Sequence, residues 1–151
     1  MIENENQKTE LLGNIAYTIS KYYLVIGDYE TALSEVEKSW NYYNLIGNDD
    51  KIIKLYNLKG IILRYNGRNE DAISVFQEGL SKSKICGNNA HVVCNCLSLA
   101  ELYIDSNNFS MASHMINEAQ KYAEAITDPI LDDRLIEIKN ELALRDGSNN
   151  G

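Results

Sequence analysis

The feature that most constrains this chain is a self-similarity at an interval of 40 residues. The stretch Gly60-Ile-Ile-Leu-Arg-Tyr-Asn-Gly-Arg-Asn-Glu-Asp-Ala72, with Ile73, Phe76 and Gly79 beyond it, has a counterpart on either side. Gly60 corresponds to Ser20 and Ala100, Ala72 to Ala32 and Ala112, and Gly79 to Ser39 and Ala119. Leu63 falls on Tyr23 and Tyr103, Phe76 on Val36 and Ile116, and Gly67 on Gly27 and Asn107. Small residues recur where small ones sit, and bulky apolar residues where bulky ones sit. A unit of this length cannot bury its apolar face alone and must stack on its neighbours, so the pattern predicts a repeat architecture.

Within each unit the apolar spacing is helical. Leu12, Ile15, Ala16, Ile19, Tyr22, Tyr23 and Ile26 mark a first helix, and Tyr29, Ala32, Leu33, Val36, Trp40 and Tyr43 a second. Gly27 can supply the left-handed conformation that ends a helix, and the two-residue link Gly27-Asp28 forces the pair into an antiparallel hairpin. The second unit pairs a helix carrying Ile52, Ile53, Leu55, Tyr56, Leu58, Ile62 and Leu63 with one carrying Ala72, Ile73, Val75, Phe76 and Leu80. In the third, Val92, Val93, Cys96, Leu99, Ala100 and Tyr103 pair with Met111, Ala112, Met115, Ile116, Ala119 and Tyr122, and Asn107-Asn108 replaces the glycine turn. Asp128-Pro129 reads as an N-cap and first helical position. Beyond it Leu131, Leu135, Ile138 and Leu142 form one stripe, while Asp132, Asp133, Glu137 and Glu141 lie elsewhere, as expected of a solubilising cap.

The expected fold class is all-α: an α-solenoid of three 40-residue helix-turn-helix repeats with a C-terminal capping helix. Residues 1–8 are expected to be a flexible start and 146–151 a disordered tail. Between them 9–145 should form one domain, with repeats over about 9–48, 49–88 and 89–128 and the cap over 129–145. Small residues at 20, 60 and 100 should face those at 32, 72 and 112, because a larger side chain would push the crossing helices apart.

The net charge of −8 argues against nucleic acid, which requires a basic patch, and against anionic membranes. No apolar run approaches the roughly 20 residues of a spanning helix, and the polar start lacks a signal peptide's features. The expectation is a cytoplasmic protein. Three cysteines, Cys86, Cys94 and Cys96, make no disulfide framework. With His91 they could suggest a metal set, but on a helix Cys94 and Cys96 point about 200° apart. Cys96 is expected to be buried as a small apolar residue, and His114 to lie on the surface. No nucleophile–base pair, phosphate loop or zinc-protease signature is present, so neither enzyme activity nor a metal or cofactor is expected.

The order small, aromatic or Leu, turn, Ala, aromatic or Ile in Gly60, Leu63, Gly67, Ala72 and Phe76, repeated in Ala100, Tyr103, Ala112 and Ile116, resembles the tetratricopeptide repeat. The resemblance covers about Leu11 to Ile126. The period is 40 against the family's 34, and the proline that often closes each repeat is missing. HEAT-type repeats share the longer period and stand second, since their helix kinks and basic ladder are not evident. Repeats of this length resemble those of bacterial peptide-sensing regulators of the Rap and PlcR type and of kinesin light chains. The Asn-, Ile- and Lys-rich composition leans toward a bacterial source, although no effector part of such regulators is recognisable.

The resemblance implies a concave groove lined by the first helix of each hairpin. Its positions are Asn14, Tyr17, Lys21 and Leu24 in unit one, Lys54, Asn57, Ile61, Arg64 and Tyr65 in unit two, and Cys94, Leu97, Glu101, Ile104 and Asp105 in unit three. Asparagine amides can grip a peptide backbone, and Arg64 and Lys54 could hold a carboxylate. The third unit has Cys94 and Ser98 where chaperone-binding relatives place basic residues, so recognition of acidic C-terminal tails is not expected. The expected partner is a short amphipathic peptide or protein segment, held by an adaptor or signalling regulator. The alternative is a regulator that occludes a partner, or forms a homodimer, through convex or terminal helices.

Overall fold

Five turns of one kind punctuate the chain at intervals of 20 residues. Gly27, Gly47, Gly67 and Gly87 have φ of 84°, 62°, 78° and 70°, and Asn107 has φ of 59°. At each, the left-handed residue donates its N–H three residues back and the next residue donates five back, as in Gly27 to Leu24 and Asp28 to Tyr23, or Asn107 to Ile104 and Asn108 to Tyr103. This closure satisfies carbonyls that a helix end leaves open. The following residue then starts the next helix: Asn48, Asn88 and Asn108 accept from the backbone N–H of Lys51, His91 and Met111. Each such cap contributes about 1 kcal/mol. Asp28 and Asp128 cap in the same way, toward Thr31 and toward Ile130 and Leu131.

The computed structural model describes residues 1–147. Among them there are seven helices and no strand: α1 (Ile2–Ile26), α2 (Tyr29–Leu45), α3 (Asp49–Tyr65), α4 (Asn69–Cys86), α5 (Asn89–Asp105), α6 (Phe109–Ala123) and α7 (Pro129–Arg145). Residues 148–151 of the expected tail lie outside the described part. No helix among the described residues is long and apolar enough to cross a membrane. The first helix begins at Ile2, within the stretch 1–8 expected as a flexible start, because the polar residues before Thr9 continue the helix while burying nothing.

The chain divides within α4 into two compact units, 1–75 and 76–151. In the first, α1 packs on α2, α2 on α3, and α1 touches α3. Ala32, Val36, Leu58 and Ile62 form its central cluster, flanked by Tyr17, Tyr23, Leu24, Tyr29, Leu33 and Trp40. Full burial of Val36 and Ile62 contributes about 1.5–3 kcal/mol each. Trp40 meets Tyr56 edge-on, with ring centroids 4.6 Å apart. The residues at 20, 60, 100, 32, 72 and 112 are all buried. In the first hairpin Ser20 Oγ donates to the Ala32 carbonyl at 2.9 Å, and Ser39 Oγ to the Gly13 carbonyl at 2.8 Å.

In the second unit α5 packs on both α6 and α7, and α6 on α7. Leu131, Leu135 and Ile138 are the buried stripe of α7, while Asp132, Asp133 and Glu137 are exposed. Arg134 Nε and Nη2 reach Glu101 Oε1 at 3.1 and 3.0 Å, and Nη2 also donates to Ser98 Oγ at 3.1 Å.

Candidate functional site

A helix turns about 100° per residue, which divides α1 into faces. Gly13, Ala16 and Ser20 point toward α2 and are buried. Asn14, Tyr17, Lys21 and Leu24 lie on the next face round. The structure sets this face beside α3. Lys54 Nζ lies 4.1 Å from the Tyr17 ring centroid and 5.8 Å from that of Tyr43, and Lys21 Nζ lies 5.5 Å from Tyr17. Tyr43 Oη donates to Asn14 Oδ1 at 2.7 Å, fixing the amide at the edge of the cluster.

Lys54 is half-buried, and desolvation first, then Lys51 and Lys21, hold its pKa below the usual lysine value. Lys51 reaches Glu10 at 3.9 Å. Among the described residues no carboxylate pairs with the ammonium of Lys54 or Lys21. In a chain of net charge −8, Lys21 and Lys54 thus converge on the Tyr17 ring with Lys51 close to Lys54, and among the described residues neither Lys21 nor Lys54 has a carboxylate at ion-pair distance.

Seven residues further along both helices the surface becomes apolar. Leu24 and Val25 of α1, Tyr29 of α2, and Ile61 and Tyr65 of α3 line a pocket of about 450 Å³. Asn57 and Arg64 are half-buried on α3 and each has interactions of its own. Of the groove positions read from the sequence, those of α1 and α3 therefore come together in one unit.

The positions on α5 behave differently. Leu97 and Ile104 are fully buried and present no surface, so Leu97 is a core residue and not a groove contact. Glu101 is engaged by Arg134. The physical reason is α7: its apolar stripe and its arginine pack against the hairpin that was expected to stay open.

The cysteines separate by burial. Cys96 is buried, and burial pushes its thiol up to about 12; Cys94 is also raised by burial, while Cys86 is exposed. His91 Nδ1 lies 3.1 Å from Asn88 Oδ1, so the ring joins a helix cap. Among the described residues no three His, Cys, Asp or Glu side chains converge as metal ligands. His114 is exposed, with Glu118 at 4.0 Å.

Sequence reasoning missed four members of the site. Lys51 and Val25 were assigned to no groove position, and Tyr29 and Tyr43 lie on a second helix. The signal for Tyr43 was available in Gly13, a glycine inside a helix, because close approach of a large ring requires such a gap.

Fold and site together define an all-helical protein of hairpins joined by one recurring turn, with a cationic and apolar face on its first unit. No known family model, curated protein or solved structure matches the chain.

Proposed function

We propose that the protein is a binding module that holds an extended peptide or protein segment along the α1–α3 face. The segment places an acidic side chain at Lys54 and Lys21 and an apolar side chain in the Leu24–Ile61–Tyr65 pocket. The observation that carries this reading is the half-buried Lys54 ammonium, packed on two rings and without a carboxylate of its own. A carboxylate arriving there relieves the repulsion from Lys51 and Lys21, and the low dielectric of a half-buried site strengthens the contact.

The spacing sets the motif. Seven residues of helix span about 10 Å, and an extended chain covers that in about three residues at 3.3 Å each. The preferred segment therefore reads acidic-x-x-apolar. The wider reading is a tetratricopeptide-like α-solenoid adaptor or regulator of a bacterial cytoplasm. It is supported by the 40-residue sequence register and by the turn that recurs every 20 residues.

Fluorescence polarisation with labelled peptides Asp-x-x-Leu, Lys-x-x-Leu and Asp-x-x-Ser tests it. Asp-x-x-Leu should bind at least about tenfold tighter than either control, equivalent to about 1.4 kcal/mol. Lys54→Gln should erase the preference for Asp, and Ile61→Ser the preference for Leu. Equal affinity for the Asp and Lys peptides would overturn the assignment.

A further inference from the structure

A third face of α1, separate from the one that meets α2 and from the cationic face, is apolar and open. Leu11, Leu12, Ile15, Ile19, Tyr22 and Ile26 fall within about 100° of one another around the helix axis. All are exposed, Tyr22 by 60% and Leu11 by 57%. From Leu11 to Ile26 the only charged residue is Lys21, and it lies on the cationic face.

The internal register says what such a face is for. Forty residues on, the equivalents of Ile15, Thr18, Ile19 and Tyr22 are Leu55, Leu58, Lys59 and Ile62 of α3. Leu55 is buried, and the other three rest on α2. Leu58 and Ile62 join Ala32 and Val36 in the core, and Lys59 Nζ reaches Glu37 at 2.7 Å and lies 5.7 Å from the Trp40 ring centroid. The face that α3 buries against a helix is thus left bare on α1, and it carries more apolar bulk there than on α3. Its exposed area is on the order of 600 Å², at the upper end of what a monomer ordinarily leaves bare. A standard interface needs about 800 Å² from each partner, so the stripe supplies about three-quarters of what a stable dimer requires and residues around it would supply the rest.

We infer that this stripe is a self-association face, on which α1 of a second copy lies antiparallel about a two-fold axis near Thr18 and Ile19. An isologous contact must be complementary to itself. About this axis Leu11 faces Ile26 of the second copy, Ile15 faces Tyr22, and Ile19 lies beside the axis. Every bulky apolar residue then meets another, and no charge enters the contact. The rest of each chain carries the acidic excess, so added salt strengthens the dimer by screening repulsion between the copies.

Sedimentation velocity over a concentration series tests this in the intact chain. The expected result is a monomer–dimer equilibrium with Kd on the order of 10 μM or tighter. Ile19→Asp and Tyr22→Asp should each weaken it at least about tenfold, whereas Ile85→Asp, at an exposed site on α4, should leave it unchanged. Circular dichroism checks that each variant remains helical. In a Cys86→Ser background, Ile19→Cys should form an interchain disulfide on oxidation, which an antiparallel contact centred there permits. A wild-type chain that is monomeric at roughly 100 μM overturns the proposal, since that exceeds the expected Kd about tenfold. A dimer insensitive to both Asp variants, or one that Ile19→Cys does not cross-link, also overturns it.

Discussion

Gly13 and Tyr43 show how one residue sets the distance between two helices. A Cβ on Gly13 would lie 2.5 Å from Tyr43 Cε1 and 2.8 Å from Cδ1, so the ring occupies the space a side chain would take. Eighty residues on, the same register holds Val93 on α5 and Ala123 on α6, both buried, with the large and small roles exchanged. Gly13→Val should therefore cost about 1–3 kcal/mol by overpacking, and Tyr43→Ala about 3–5 kcal/mol by leaving a void. The double variant should recover at least about 1 kcal/mol relative to their sum, because the valine fills the space the ring vacates. Urea denaturation of the four proteins measures the coupling, and strict additivity would show that the ring and the gap are independent. The same pair marks a limit of legibility. Small residues at 20, 32, 60, 72, 100 and 112 could be read as buried because they recur at fixed register, and they are buried. Gly13 does not recur, so a glycine inside a helix hints at a close approach but not at what makes it, and the ring of Tyr43 emerges only from the structure.

At the scale of elements, turns were the most legible part of the chain and helix faces the least. Gly27, Gly67 and Asn107 were read as turns from their chemistry, and each has a positive φ. A turn is local, so a few residues determine it. Which face of a helix stays open depends instead on what packs there later in the chain, and α7 is the case in point. Its stripe was read correctly as apolar on one side, yet nothing in the spacing showed that Arg134 would reach back to Glu101 and Ser98. Consequently Leu97 and Glu101 were assigned to a groove, and the structure makes one a core residue and the other an ion-pair partner. The start of α1 was misplaced for a related reason: helix formed by polar residues carries no apolar period to read. The Arg134–Glu101 pair is partly buried and carries hydrogen bonds to charged groups, so Arg134→Ala should cost about 1.5–3 kcal/mol. Hydrogen exchange should then quicken in α7 while α1 and α2 keep their protection. Uniform loss of protection over the chain would mean that α7 is not separately anchored by this contact.

For the whole molecule the telling quantity is the mismatch between net and local charge. Twenty-two acidic residues against fourteen basic ones should attract cations everywhere, yet Lys21 and Lys54 gather at Tyr17, with Lys51 close enough to Lys54 to lower its pKa. Folding opposes the charge on Lys54, since burial and two neighbouring lysines lower its pKa from 10.5. Between the lowered folded value and 10.5 the unfolded chain binds the proton and the folded chain does not, so this group makes stability rise with pH through that window. Below the window both states are protonated and the full penalty persists. Lys54→Met keeps the stem on the rings and removes the charge. It should stabilise the chain at pH 7, and the advantage should shrink as pH rises toward 10.5, which urea denaturation of both proteins across that range would measure. A binding site kept at some cost to stability gains when its counter-ion arrives. The Asp-x-x-Leu peptide should therefore raise the melting temperature of the wild-type chain more than that of Lys54→Met. If the peptide stabilised both equally, the lysine would belong to the scaffold and the acidic half of the proposed motif would fall, leaving the apolar pocket to account for binding alone.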